Sequence, residues 1–486
     1  MSRLLSSLAV VGLLTPAVVG LPVVTAPTEK PHPVPPSVSH VALSQTLSSF
    51  ALPARATKDF TTVGVTWRHD DRVREVTAEV RWRKGGTWSS WRTLSGDRDD
   101  VPDAGTIDTT AGLRDGTAPL WVGRSNGVQV RATASGPVQP ADVRVELVDP
   151  GTSAADLRPT PRDVASAAQE QPPILTRADW GADESIRRGS PSYNATVKVG
   201  FVHHTDTANG YSMAEVPAML RSIYAYHVQS NGWSDIGYNY LVDRFGRVWE
   251  GRYGGITRAV IGAHTGGFNT DSFGTSLLGD YTTEVPSAAT LTSLEQLFAW
   301  KLGSYYRDPI GQATLRSAGG GTSKYPAGTY HTFDVVSGHR DAGNTSCPGN
   351  ATYARMSMIR AAIDDFVGAS FVAPAASTKT TYVGSSTPVT VKALTRRAPV
   401  WTLDVLSSAG VPVRTFAGAD PSVVDVAWDL KDASGVPVPP GAYTLRLSGT
   451  SPEGEVARPW TAPVTVRFPS IPKGSWMKPK QYVQRG

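Results

Sequence analysis

The hydrophobic period of this 486-residue chain changes twice, and those changes set the limits on its fold. From about Phe60, apolar and small or polar residues alternate: Val63, Val65 and Trp67 interleave with Gly64 and Thr66, and Val76 to Trp82 repeats the pattern. A period of two is that of a half-buried strand. Gly85-Gly86 turns the chain before Trp88-Ser89-Ser90-Trp91, and strand-like runs return at Pro119 to Val122, Val128 to Ala132 and Val143 to Val148. Short strands separated by Gly, Asp and Pro turns predict an N-terminal β-sandwich over residues 58–150. Its tryptophans are either sheet packing or a sugar-stacking face. Alternation resumes after Pro374, in Val389 to Leu394, Trp401 to Leu406, Val411 to Phe416, Val423 to Trp428 and Tyr443 to Leu447. This predicts a C-terminal Ig-like β-sandwich over 375–468, followed by a tail, 469–486; it carries no catalytic constellation.

Between the two lies a block, 174–368, in which helical and strand patterns intermix. Ser212-Met213-Ala214-Glu215 reads as a capping box, and Leu220, Ile223, Tyr224 and His227 follow on one helical face. Thr292-Ser293-Leu294-Glu295 reads as a second box, and a third helix is predicted from about Ala351 to Val367 with Asn350 as its cap. Strands are expected at Val197 to His203, Tyr238 to Asp243, Val248 to Glu250, Thr275 to Leu278 and Phe333 to Val336, with Asp243-Arg244-Phe245-Gly246 as a hairpin turn. The fold class is thus an α/β domain, a mixed β-sheet flanked by helices, between two β-sandwiches.

The ends carry less information. Arg3, the apolar run Leu4 to Val19 and the small-residue Val24-Thr25-Ala26 form the pattern of a signal peptide, placed at 1–26. A Pro/Thr/Ser-rich spacer is expected over 27–57 and a linker over 151–173. No later segment is long and apolar enough for a membrane span. The net charge of +5 is mild and no Lys/Arg stripe is clustered, which argues against nucleic acid and allows weak attraction to an anionic partner.

Cys347 is the one cysteine, so no disulfide can form within the chain. It is a buried spectator, an intermolecular bridge or a metal ligand. His339 stands eight positions upstream, across a loop of Gly, Asp, Asn and Pro that can bend to bring imidazole and thiolate together. A hydrolytic zinc site takes about three protein ligands and keeps one position open. Strand alternation puts His203 on one face with Val197, Val199 and Phe201, and His204 on the other, so one of the pair can serve as a ligand and the other cannot. Geometry alone does not choose between them, and His264 stands as a rival third ligand.

Six blocks, in order, resemble the peptidoglycan recognition protein family, whose fold is shared by the zinc N-acetylmuramoyl-L-alanine amidases of the phage T7 lysozyme type. They are Val202-His203-His204-Thr205, Gly232 to Tyr240, Glu250-Gly251-Arg252, Gly262-Ala263-His264 with Gly267-Phe268-Asn269, Gly338-His339-Arg340, and Cys347-Pro348-Gly349; Thr176 to Ala182 resembles the family's opening segment. The resemblance covers roughly 174–368. It implies zinc (Zn2+) on His203, His339 and Cys347 and relieves His264 of that duty. It implies catalytic roles beside the metal for Tyr238 and Thr345, and substrate-binding positions in a peptide groove for His227, His264 and Asn269. The implied activity is hydrolysis of the amide between muramic acid and L-alanine in peptidoglycan, by a secreted or cell-wall-associated protein. Non-catalytic members typically lack the cysteine, which this chain has. Many animal members carry a disulfide after the first histidine block; this chain cannot form it, so packing must hold that loop. The flanking β domains are expected to target the enzyme, hold it in a pro-form or space it.

Overall fold

The computed structural model describes residues 33–469, apart from 74–75, 98–100, 110–111, 158–169, 322, 398 and 421. The expected signal peptide, most of the linker and nearly all of the tail lie outside the described residues. In the N-terminal region, Ser49–Arg68 is the long central strand. It pairs antiparallel with Leu120–Ala134 and with Arg144–Asp149, and Leu120–Ala134 pairs in turn with Val76–Lys84. Alternate residues Val63, Val65 and Trp67 are fully buried, as the period-two reading requires. The sheet also takes in part of the segment expected to be a spacer. Ser37–Ala42 pairs along Arg144–Asp149, and Phe50 and Leu52 enter the core at 2% and 7% exposure. The prolines and serines there mask an edge strand, a position that tolerates them. Of the tryptophans, Trp67 is core, whereas the half-buried Trp88 and Trp91 lie beside the Arg81 guanidinium.

The central domain is built on a six-stranded sheet in the order Ile174–Leu175, Val248–Glu250, Tyr240–Val242, Ser272–Leu277, Val199–His204, Val336–Gly338. Val199–His204 runs parallel to both of its neighbours, and such strands are buried on both faces. All six of its residues are buried accordingly. Tyr240–Val242 and Val248–Glu250 form an antiparallel hairpin, and Gly246 takes the left-handed conformation at its turn, φ +81°.

Helices Val216–Ala225, Ala288–Ser304 and Met356–Val367 accompany the sheet, and the apolar side chains of the latter two share a core with its strands. The Ser212 box forms, with Glu215 accepting from the Ser212 amide at 2.7 Å, and opens a short 3-10 turn that runs into Val216. The second helix begins before the Thr292 box because the Ser287 hydroxyl already accepts from Thr290 N. The third is two pieces, Asn350–Tyr353 and Met356–Val367, with Gly349 at the cap. The C-terminal region forms a three-stranded and a five-stranded sheet around Leu403, Val405, Leu445, Leu447 and Val464. No helix among the described residues is long and apolar enough to cross a membrane.

Candidate metal centre

Strand register brings the two histidines together. Val202 pairs with Gly338 across the parallel strands, so the next residues, His203 and His339, emerge side by side at the carboxyl edge of the sheet. Open α/β sheets form their sites at that edge. His339 also begins the helical turn His339–Ala342, whose N-terminus is closed by Gly338 N donating to Asp341 Oδ2 at 2.9 Å. The rings of His203 and His339 lie 4.5 Å apart.

The loop after this turn returns Cys347 to the pair. Arg340 N donates to the Cys347 carbonyl at 3.0 Å, Gly349 N to Ser346 O at 2.9 Å, and the Arg340 side chain ties down the Ser346 carbonyl and Asn350. One ligand atom from each of His203, His339 and Cys347 falls within 4.8 Å of the others, and all three residues are buried. Two imidazoles and one thiol suit zinc, and three ligands leave a position open. Burial holds the His203 imidazole neutral, its pKa pushed down to about 3, which is the form that donates a lone pair. His204 does not join this group. Its Nδ1 accepts from Tyr281 N at 3.1 Å, while its backbone N–H donates to Cys347 Sγ at 3.4 Å and favours the thiolate.

Behind the cluster, His264 Nδ1 lies 3.2 Å from His203 Nε2 and 2.9 Å from Thr265 Oγ1. His203 Nδ1 is the nitrogen that faces Cys347 Sγ, at 3.7 Å. A metal held on Nδ1 would leave the proton on Nε2, donating toward His264, and that contact would fix the ring and its tautomer. Gly262 and Gly274 make room for the His264 ring: a Cβ on either would stand 2.4 Å from it.

The expected groove residues are more enclosed than their sequence reading implies. His264 and Asn269 are fully buried and His227 is nearly so. Asn269 Oδ1 accepts from the backbone amides of His264 and Thr265. The His227 ring packs on Trp233 at 4.4 Å, and its Nδ1 accepts from Gly237 N. Tyr238 lies between the two histidine groups, its ring 5.6 Å from His203 and 5.8 Å from His227. Thr345 is half-buried, with its oxygen accepting from Cys347 N at 3.0 Å. Packing and hydrogen bonds hold the loop after His204: Asn209 Nδ2 donates to Asp280 O and the Tyr211 hydroxyl to Leu278 O.

The comparisons with known proteins converge on the same segment. Residues 193–350 match the N-acetylmuramoyl-L-alanine amidase family. Peptidoglycan-recognition protein SC2 of Drosophila melanogaster is 32% identical over 176 residues, which span 36% of this chain and 80% of that protein. The chain belongs to the peptidoglycan recognition protein family. A second relative, the N-acetylmuramoyl-L-alanine amidase of Sus scrofa, is 33% identical over 186 residues, 37% of this chain and 26% of that one. Among solved structures, Drosophila PGRP-LB aligns with a TM-score of 0.30 at 28% identity, over 38% of this chain and 92% of its own. The flanks match other families: residues 22–169 the Rv3811 N-terminal galactose-binding domain-like family, and 377–453 the FlgD Ig-like domain.

One set of residues carried no motif. Asp103 and Asp108, from the N-terminal region, reach Asn269 and Arg252 of the family domain. They fall in none of the strand-like runs of that region, and nothing in the local pattern marks a partner so distant in sequence.

Proposed function

We propose that the chain is a secreted, zinc-dependent N-acetylmuramoyl-L-alanine amidase that cuts the amide between the lactyl group of muramic acid and L-alanine in peptidoglycan. The observation that carries this is the gathering of His203, His339 and Cys347 within 4.8 Å at the carboxyl edge of the sheet. Membership of the family supplies the substrate class. Bound zinc supplies a Lewis acid that polarises the scissile carbonyl and lowers the pKa of water.

The protein's own groups do the positioning. His264 and Thr265 hold the His203 ring so that Nδ1 keeps its lone pair for the ion. The Tyr238 hydroxyl orients water or the carbonyl beside His203. The Thr345 oxygen accepts from Cys347 N, and its hydroxyl hydrogen donates to the developing oxyanion. Neither hydroxyl is a base at neutral pH, so each acts by orientation and hydrogen bonding.

Zinc-loaded protein incubated with purified sacculi should release intact stem peptides bearing new L-alanine amino termini. Termini at another stem residue would make the chain a peptidase. Binding to sacculi with no new termini would leave it a recognition module.

A further inference from the structure

Residues 101–109, contributed by the N-terminal domain, run along the amidase domain as a strap with two acidic anchors. Pro102, Asp103 and Asp108 face inward, while Ala104, Gly105 and Ile107 are exposed. The Asp103 carboxylate accepts from Gly267 N at 2.8 Å, Asn269 N at 3.2 Å and Asn269 Nδ2 at 2.9 Å, and the Val101 carbonyl accepts from Asn269 Nδ2 at 3.0 Å. Three convergent N–H donors make a nest of the size and polarity of one carboxylate. At the other end, Asp108 accepts from Arg252 at 2.7 and 3.0 Å and from Ser234 N and Oγ at 2.8 and 2.6 Å. Arg92 of the same domain also reaches the amidase domain, donating to Asp280 at 2.8 Å.

Both contact points adjoin the site. Asn269 holds the amides of His264 and Thr265, and His264 touches His203. Ser234 follows Trp233, against which the His227 ring packs at a tilt. The strap therefore holds polar groups next to the residues expected to line the groove, Asn269 and His264 at one end and His227 at the other, in the manner of a bound acidic peptide.

The anchors differ in strength. Asp108 is a buried charge facing a buried guanidinium, which holds its carboxyl below the usual range although burial alone would raise it. Among the described residues, Asp103 meets neutral donors from Gly267, Asn269 and Thr270, and burial pushes it up to about 6. Asp103 is thus the end that releases, and Gly105, in the left-handed conformation at φ +79°, stands between it and the fixed end.

We propose that residues 101–109 are a built-in acidic pseudo-ligand capping the amidase groove, with Asp103 in a three-donor carboxylate site that a carboxylate of the acidic stem peptide takes over. This rests on the peptidoglycan amidase reading above.

The test is deuterium exchange on the full-length, zinc-loaded chain with and without a soluble muramyl tripeptide. The proposal expects 101–109 to exchange about tenfold faster with the tripeptide, the equivalent of losing one charge-assisted hydrogen bond, while 262–270 becomes slower. Gain of protection in both segments would make the strap a fixed wall of the groove and overturn the proposal. Hydrolysis with no change in 101–109 would overturn it while leaving the amidase reading intact. No hydrolysis and no change in either segment would sink both. In parallel, Asp103→Ala should raise tripeptide hydrolysis about tenfold with zinc content retained, and a fall in rate with zinc retained would contradict the cap.

Discussion

The two β flanks belong to the same structural class but are joined to the amidase domain by different physics. The N-terminal flank is fused to it through buried contacts. The Tyr226 ring seats against Gly64 and Gly116 and its hydroxyl donates to Thr117 O at 2.9 Å. Arg221, 1% exposed, donates to Pro150 O and pairs with Asp156 at 2.8 Å. Asp108 pairs with Arg252 at 2.7 Å, with both side chains nearly fully buried. The C-terminal flank is joined by half-exposed contacts: Arg396 with Asp364 at 3.1 Å, Arg397 with Asp365 at 2.7 Å, and the Tyr306 hydroxyl donating to Pro459 O. A partner that buries charges and a tyrosine in this way folds with the domain it touches, whereas one tied by solvated ion pairs is an appended module.

The comparison can be broken by substitution. Asp108→Ala, which leaves the Arg252 guanidinium buried without its carboxylate, should cost about 3–5 kcal/mol in denaturant unfolding of the amidase unit. A loss below about 1 kcal/mol would show that the N-terminal flank is only loosely applied. Gly64→Ala places a methyl 2.4 Å from the Tyr226 hydroxyl oxygen and should cost about 1–3 kcal/mol by thermal unfolding. Rescue of the loss by adding Tyr226→Phe would sharpen the assignment to that contact.

Asp103 gives the comparison a pH dependence. Its folded pKa of about 6 exceeds the ordinary carboxyl value of 3.8, so its stabilising contribution is full below pH 4 and is lost as pH rises through 6. Relative to Asp103→Asn, the wild type should therefore lose about 2 kcal/mol between pH 4 and pH 7 in chemical denaturation. An unchanged gap between the two proteins would contradict that environment. Smallest of all, Arg396→Ala should shift stability by less than about 1 kcal/mol, and 0.5 M salt should erase the difference, because the pair it removes is 29% and 17% exposed.

How much of this was legible in the sequence depends on how local the signal was. Strand alternation separated His203 from His204, and their different partners follow from that one-residue offset. The short loop between His339 and Cys347 announced that the two could meet. Val248–Glu250 was placed residue for residue, because its alternation and the Gly246 turn are both local. The start of the helix Ala288–Ser304 was missed because Ser287 and Thr290 cap it ahead of the stronger-looking Thr292 pattern. The edge strand Ser37–Ala42 was hidden by proline and serine in a segment with little apolar alternation. The strap and the Tyr226 seat were illegible for a deeper reason. Each joins residues more than a hundred positions apart, and an aspartate in a turn looks the same whether it faces water or Asn269.

We propose His203, His339 and Cys347 as one catalytic metal centre to which His204 does not belong. Zinc content and L-alanine termini released from sacculi, measured together on purified wild type, Cys347→Ala and His204→Ala, test it most directly. One zinc per wild-type chain is expected, with loss of both metal and turnover in Cys347→Ala and metal retained in His204→Ala. Zinc kept at full stoichiometry in Cys347→Ala, or lost from His204→Ala while that chain stays folded, would contradict it.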